Sequence, residues 1–467
     1  MGKLHHFFGD REFWRTTLRL AVPIALQNLL SSSFHLVDTL MIGQLGSVSV
    51  AAVGMAGQVA FVMSVVMFGV GSGGSVFISQ YWGAQDLHGV RRSYGVVLSH
   101  ALGAGLLFTL FAAVFPKVAV GLFTHDPLVI EEGARYLSIA AFSYVGIGLQ
   151  QAFVTLLRST EQVKLPLYAS LCSVAANAVL NYIFIFGKLG FPAMGVQGAA
   201  LATVIAAWLN PLVVFVLSLR GRGLLVAPPR ELFSFEKKFL LEFYRVALPV
   251  VANEGLWALG TMGYNMVFGR LGTENYAALT IFRTLEGIGF AFVVGLCHAC
   301  IVIVGKTVGA GELHRTLVDA KRFMFLVPAF SLFIGLLFIT LRGVLILPFD
   351  ISAEARATAE WILLLYGCWL PIRNVPYVAI VGVFRAGGDT RTGMVLDLIT
   401  VWGVALPLVA LTGLVFHWPF LAVYVVMLLG EDVIKAVYCL VHFKRLKWLR
   451  PVTPEGKAAL RALRAEK

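Results

Sequence analysis

The chain has few charges and few cysteines, and no polar stretch long enough to form a sizeable soluble domain. Only 13% of its 467 residues are Asp, Glu, Lys or Arg, about half the share usual in soluble proteins. So little charge excludes an ordinary water-facing surface. The five cysteines, Cys172, Cys297, Cys300, Cys368 and Cys439, all stand in apolar stretches, which argues against a secreted disulfide framework. The alternating segments of a β-barrel are missing as well, and long continuous apolar runs take their place. The segment Met1 to Arg19 is mixed and basic, without a small-residue cleavage site, so no removable signal peptide is expected.

What is present is an apolar majority. Residues of the set AVILMFWYC make up 58%, with 47 glycines besides, and the mean hydropathy is +0.83. Such a chain needs lipid as its solvent. A helical crossing takes about 20 residues. Apolar runs bounded by charge, Gly or Pro place spans near 14–41, 50–79, 93–120, 134–157, 165–188, 196–219, 243–270, 277–308, 317–347, 357–384, 392–415 and 419–441. The expected fold is therefore an all-α integral membrane protein of twelve transmembrane helices. The formal charge of +12 would suit a nucleic-acid binder, but in a membrane protein Lys and Arg first report topology. They concentrate on the face that carries both termini, which are expected in the cytoplasm, and no nucleic-acid partner is expected.

The longest internal polar stretch, Arg220 to Glu242, divides the chain into halves. Sliding one half over the other at a single constant offset aligns Pro23 with Pro249, Gly43 and Gly46 with Gly269 and Gly272, Gly69 with Gly295, and Gly83-Ala84 with Gly309-Ala310. Further on, Leu157-Arg158 aligns with Phe384-Arg385 once the offset is lengthened by a single position. A register held over so many turn and packing residues marks an internal repeat. The expected organisation is an N-terminal lobe (1–220), a cytoplasmic linker (221–242), a C-terminal lobe (243–443) and a basic tail (444–467). Six spans per lobe give both the same orientation, related by a pseudo-twofold axis along the membrane normal, an architecture that supports alternating access. Pro23 and Pro249 remove a backbone hydrogen bond inside their spans and are the candidate hinges.

An ionisable group at the bilayer centre costs about 2.5–3.5 kcal/mol on insertion scales and normally faces a cavity or a partner. Six carboxylates qualify: Asp38, Glu254, Glu286, Asp397, Glu431 and Asp432. Glu286 follows Arg283 by three residues, and Glu431 and Asp432 precede Lys435 by four and three, so helical spacing allows each to be neutralised on its own helix. Asp38, Glu254 and Asp397 have no basic neighbour at that spacing. Desolvation favours their neutral form, so they are candidates for taking up and releasing a proton. His35 lies one turn before Asp38 and can titrate with it. Gln27, Asn28, Asn177, Asn181 and Thr203 supply amide and hydroxyl groups in the same lobe, suited to a proton relay or to a hard monovalent cation.

Several motifs carry less. Gly69-Val-Gly71-Ser-Gly-Gly74 matches a dinucleotide pattern but lies inside an apolar helix, where close helix packing explains it. Cys297-His-Ala-Cys300 has no second pair to complete a metal site, and no metal is expected. The run from Lys444 to Arg450, with Trp448, reads as a membrane-interface anchor, and Asp389 as a turn residue beside two glycines. No nucleophile, base and oxyanion arrangement is present, so an enzyme is not expected.

Four segments together resemble a known family, the multidrug and toxic compound extrusion (MATE) transporters. They are PIALQNLLSSSFHLVDTLMIGQLGSVSVAA, NAVLNYIFIFGKLGFPAMGVQGAALATVIAAW, PVVANEGLWALGTMGYNMVFGRLG and FRAGGDTRTGMVLDLITVWGVALP. The resemblance implies a two-lobed antiporter of a bacterial inner membrane that exports organic, often cationic and amphipathic compounds in exchange for protons or sodium. It implies no cofactor beyond the coupling ion, and nothing in it requires an oligomer. By the same resemblance Asp38 is the N-lobe carboxylate, with Asn177, Asn181 and Thr203 lining its site. Some members carry aspartate where Asn181 stands, so this site has one carboxylate fewer. Glu254 looks like the family's C-lobe acid. Arg283, Glu286 and Arg373 are less typical and are candidates, with Gln27 and Asn28, for the substrate cleft. The alternative within the wider superfamily is a flippase for lipids or lipid-linked oligosaccharides, which needs a cation-lined cavity for phosphate.

Overall fold

The computed structural model describes residues 10–220, 224–349 and 351–465, without the side chains of His35, Leu36 and Arg220. These residues form twelve helical spans. Among the described residues nine helices are long and apolar enough to cross a bilayer, and the pair Pro127–Ala140 and Ser143–Ser159, bent by 53°, makes a tenth. The other two, Lys237–Phe268 and Phe420–Lys444, are continuous helices of span length. Their apolar runs are interrupted by Asn253 and Glu254, and by Glu431, Asp432 and Lys435.

The backbone repeats where the sequence does. Gly46 and Gly272, aligned in the same register as Pro23 and Pro249, have φ of +114° and +118°, a region in which a side chain is strained. Asp126 accepts a hydrogen bond from the Leu128 backbone N–H (2.9 Å) to cap the fourth span. At the equivalent start of the tenth span, Ser352 accepts one from Ala355 (3.1 Å). Both side chains satisfy an N–H that a helix start otherwise leaves unpaired. Pro23 and Pro249 lie inside their helices.

The chain divides into two compact units. The first comprises residues 1–25, 79–86 and 244–467, the second residues 26–78 and 87–243. In the first unit, a Cβ on Gly83 would stand 1.9 Å from the Lys306 carbonyl oxygen, and one on Gly309 would stand 1.9 Å from that of Gln80. These contacts are equivalent under the repeat, so two helix ends cross at backbone distance and each must be glycine. In the second unit, Gly71 and Gly74 of the discounted motif pack against Thr155 and Val97 inside the helix Ser47–Gly83.

The C-terminal segment departs from its expected role. Trp448 is fully buried rather than placed as a membrane-interface anchor. Its indole stacks on Phe443 at 5.9 Å and lies where a Cβ on Gly387 would be only 2.4 Å from the ring. The Arg450 backbone N–H donates to the Gly387 carbonyl (2.7 Å), Val452 to Gln80 Oε1 (2.8 Å), and the Thr453 hydroxyl to the Gly309 carbonyl (2.8 Å). The basic run is thus tied to the protein because it offers backbone donors and a ring to a glycine turn that accepts both.

The tenth and eleventh spans contain π-helical segments, Val378–Phe384, Leu398–Ala405 and Leu411–Val415. The first lies two residues beyond Pro376, whose missing N–H already interrupts the α-helical ladder.

Candidate functional site

In the second unit Asp38 is half-buried, and the fifth-span residues Asn177 and Asn181 are 1% and 0% exposed. Their i,i+4 spacing puts both amides on one helix face. Asn181 Nδ2 donates to Asp38 Oδ1 (2.8 Å) and to Asn177 Oδ1 (3.0 Å). Asn181 Oδ1 and Asn177 Nδ2 are buried and have no hydrogen-bond partner among the described residues. Thr203 donates to the Ala199 carbonyl (2.9 Å), and the buried Tyr136 stands near both Thr203 and Asp38. Asp38, Asn177 and Asn181 therefore come together through their side chains, with Tyr136 and Thr203 close by. The side chain of His35 lies outside the described residues.

Gln27 and Asn28 belong to a different cluster. Gln27 is 5% exposed; its Oε1 accepts from Arg158 Nη2 (2.6 Å) and its Nε2 donates to Ser170 Oγ (3.0 Å). Asn210 Nδ2 donates to the same Ser170 Oγ (3.4 Å).

In the first unit the carboxylates are paired across helices, which corrects two expectations. Glu254 Oε1 meets Arg385 Nη2 at 2.7 Å, and Asp397 Oδ1 meets Lys435 Nζ at 2.6 Å. Neither is an isolated buried acid. Arg385 also donates to Asn253 Oδ1 (2.9 Å), and Asn253 Nδ2 to Asp397 Oδ2. Glu431 pairs with Lys435 (3.2 Å), the partner its spacing allowed. Asp432 does not. It meets Arg373 (3.4 Å) and accepts from the Trp369 indole (2.9 Å), because its position on the helix turns it toward the tenth span. Glu286 is not paired with Arg283 either; it accepts from the Tyr366 hydroxyl, at a recess lined by Phe290, Ile334 and Phe338. Arg373 is thus ion-paired, with its side chain 25% exposed.

Asp389 is more than a turn residue. It is 1% exposed, pairs with His442 (2.8 Å) and Arg450 (3.2 Å), and accepts from the Thr392 hydroxyl (2.7 Å).

Two repeats of membrane-spanning helices, each with polar groups clustered on buried helix faces, define a polytopic membrane protein of the two-repeat class. The MatE family model matches residues 23–183 and 249–411, one match in each repeat. The chain belongs to this family, the multidrug and toxic compound extrusion transporters. It is 24% identical over 445 residues to the probable multidrug resistance protein NorM of Thermotoga maritima, covering 94% of this chain and 93% of that protein. It is 29% identical over 425 residues to the multidrug resistance protein NorM of Burkholderia vietnamiensis, covering 86% and 87%. Among solved structures, the bent form of the Vibrio cholerae MATE transporter VcmN superposes with a TM-score of 0.84 at 18% identity, covering 96% of this chain and 98% of that one. A superfamily transporter from Pyrococcus furiosus superposes with a TM-score of 0.82, also at 18% identity, covering 92% and 96%.

Proposed function

We propose that the protein is a secondary antiporter that exports organic, often cationic and amphipathic compounds in exchange for protons or sodium, with Asp38 as the coupling group. The carrying observation is the contact of Asp38 with Asn181 beside two buried amide atoms that lack partners among the described residues. Protonation makes Asp38 a donor, for which Asn181 Oδ1 is an acceptor in the same side-chain pair. A sodium ion instead uses hard oxygens, here Asp38, Asn177 Oδ1 and Asn181 Oδ1. Either event neutralises Asp38 and changes how it is held to the fifth span. Each pH unit of gradient supplies about 1.4 kcal/mol and each 100 mV about 2.3 kcal/mol per charge, enough to drive accumulation. Pro23 and Pro249 are the hinges, lobes 1–220 and 243–443 the moving parts, and 221–242 the linker. The protein works as a monomer in a bacterial inner membrane with both termini in the cytoplasm. The names of the NorM relatives as multidrug resistance proteins support the substrate class.

The test is ethidium transport in proteoliposomes under a proton gradient or a sodium gradient, for wild type and Asp38→Asn. Loss of gradient-driven transport in the variant, with folding retained, is the expected result, and the gradient that drives wild type names the ion. Undiminished transport by Asp38→Asn would sink the assignment.

A further inference from the structure

The two repeats carry the same chain of hydrogen bonds with different charges. In the first unit it runs Arg385, Asn253, Asp397, Lys435. In the second it runs Arg158, Gln27, Ser170, Asn210. Gln27 corresponds to Asn253 in the register set by the two prolines, and Arg158 and Ser170 correspond to Arg385 and Asp397 in the register lengthened by a single position. Asn210, on the helix Gly195–Arg220, takes the place in the bonding chain that Lys435 holds on the helix Phe420–Lys444. Arg385 has a counter-ion, Glu254. The residue equivalent to Glu254 is Asn28, and Arg158 has no carboxylate partner among the described residues.

The consequences appear atom by atom. Arg158 Nε is buried with no hydrogen-bond partner among the described residues, and so is the Asn28 Nδ2 donor, while one guanidinium nitrogen is held by Gln27. Gln27, Ser170 and Asn210 are each 5% exposed or less. Arg158 and Asn28 are each half-buried as residues. A guanidinium stays charged at any working pH and in a low dielectric requires an opposite charge.

We propose that Arg158 and Asn28, oriented by Gln27, form a binding site for a singly charged oxyanion, a carboxylate or a phosphodiester, in the place where the second repeat builds Glu254 into the chain. A guanidinium fork and an amide donor match the two oxygens of such a group. The carboxylate arrives on a transported solute, and to that extent the inference rests on the transport reading. The phosphodiester arrives on a lipid headgroup.

Binding is measured without a gradient, so failure of transport leaves this test intact. The purified protein in neutral, lipid-free detergent is melted with benzoate, with neutral benzamide and with dibutyl phosphate, and apparent Kd values are taken from the rise in Tm. Benzoate is expected to stabilise wild type where benzamide does not. Arg158→Gln is expected to weaken benzoate binding at least tenfold. Asn28→Glu, which supplies the internal counter-ion and removes no structural bond, is expected to do the same. Tighter binding of dibutyl phosphate with the same dependence on both variants assigns the site to lipid; weaker binding assigns it to a solute carboxylate. Equal effects of benzoate and benzamide on wild type, or undiminished benzoate binding by Asn28→Glu, would overturn the proposal.

Discussion

Arg158 and Arg385 do the same structural job in two repeats and live in opposite electrostatic settings. Each donates to the amide oxygen of an equivalent residue, Gln27 or Asn253, and each amide passes the bond to the next span. Beyond that point the chains part. The second repeat fills its positions with Glu254, Asp397 and Lys435, and the first with Asn28, Ser170 and Asn210. A hydrogen-bond pattern can therefore be inherited while its charge is rewritten. The charged copy is closed on itself, and the neutral copy leaves one cation open.

Removing the charge from the closed copy is expected to have the largest effect on stability. Lys435→Met leaves Asp397 buried without its cation, at a cost of about 3–5 kcal/mol, read as a fall in Tm in detergent. Asn210→Leu at the equivalent place removes a neutral bond and costs about 1 kcal/mol. Equal losses would break the contrast. A smaller effect tests where the repeats agree. Gly83→Ala and Gly309→Ala each force a Cβ onto a backbone carbonyl, costing about 1–3 kcal/mol, and the two Tm shifts are expected to match because the contact is reciprocal. A shift in only one would show that one helix end yields more than the other.

The smallest effect concerns the lead-in to each repeat. Asp10 and Glu236, equivalent by sequence, both offer a carbonyl to the helix that follows, but Asp10 also reaches Arg322 at 2.8 Å. Burial raises the Asp10 carboxyl, and the Arg322 bond with the Phe13 backbone N–H outweighs it, so the acid lies below its ordinary value. A lowered acid contributes stability above its unfolded value of about 4, and the contribution is lost as pH falls through the folded value. The Tm gap between wild type and Asp10→Asn is expected to shrink slightly from about pH 6 to about pH 3. It is small because the side chain is 34% exposed. A gap that does not change with pH would remove the ion pair from the account.

Most of the spans were legible because each is a long apolar run, and the repeat because glycines at close crossings and left-handed turns tolerate no substitute. The Asp38 cluster was legible in part. Asn177 and Asn181 share a helix, so their spacing announced a common face, whereas Tyr136 gave no sign in an apolar helix. The partners of Glu254 and Asp397 escaped because Arg385 and Lys435 sit on other helices, and periodicity sees only its own. Trp448 escaped for a related reason. A basic run with an aromatic has the composition of an anchor, and only tertiary docking on Gly387 turns it inward.

The π segment Val378–Phe384 bears on the ancestry of the chain. The helix caps Asp126 and Ser352 keep the register of Pro23 and Pro249, whereas Arg158 and Arg385 stand a single position further apart, so the later copy of this span holds one residue more between cap and arginine. A π turn, bonded i to i+5, accommodates one residue more than an α turn. The extra position fits inside the helix, and Arg385 reaches Asn253 as Arg158 reaches Gln27. The first copy meets the same stretch with a 53° bend between Ala140 and Ser143 and the second with a π turn, so the two halves differ here in backbone as well as in length.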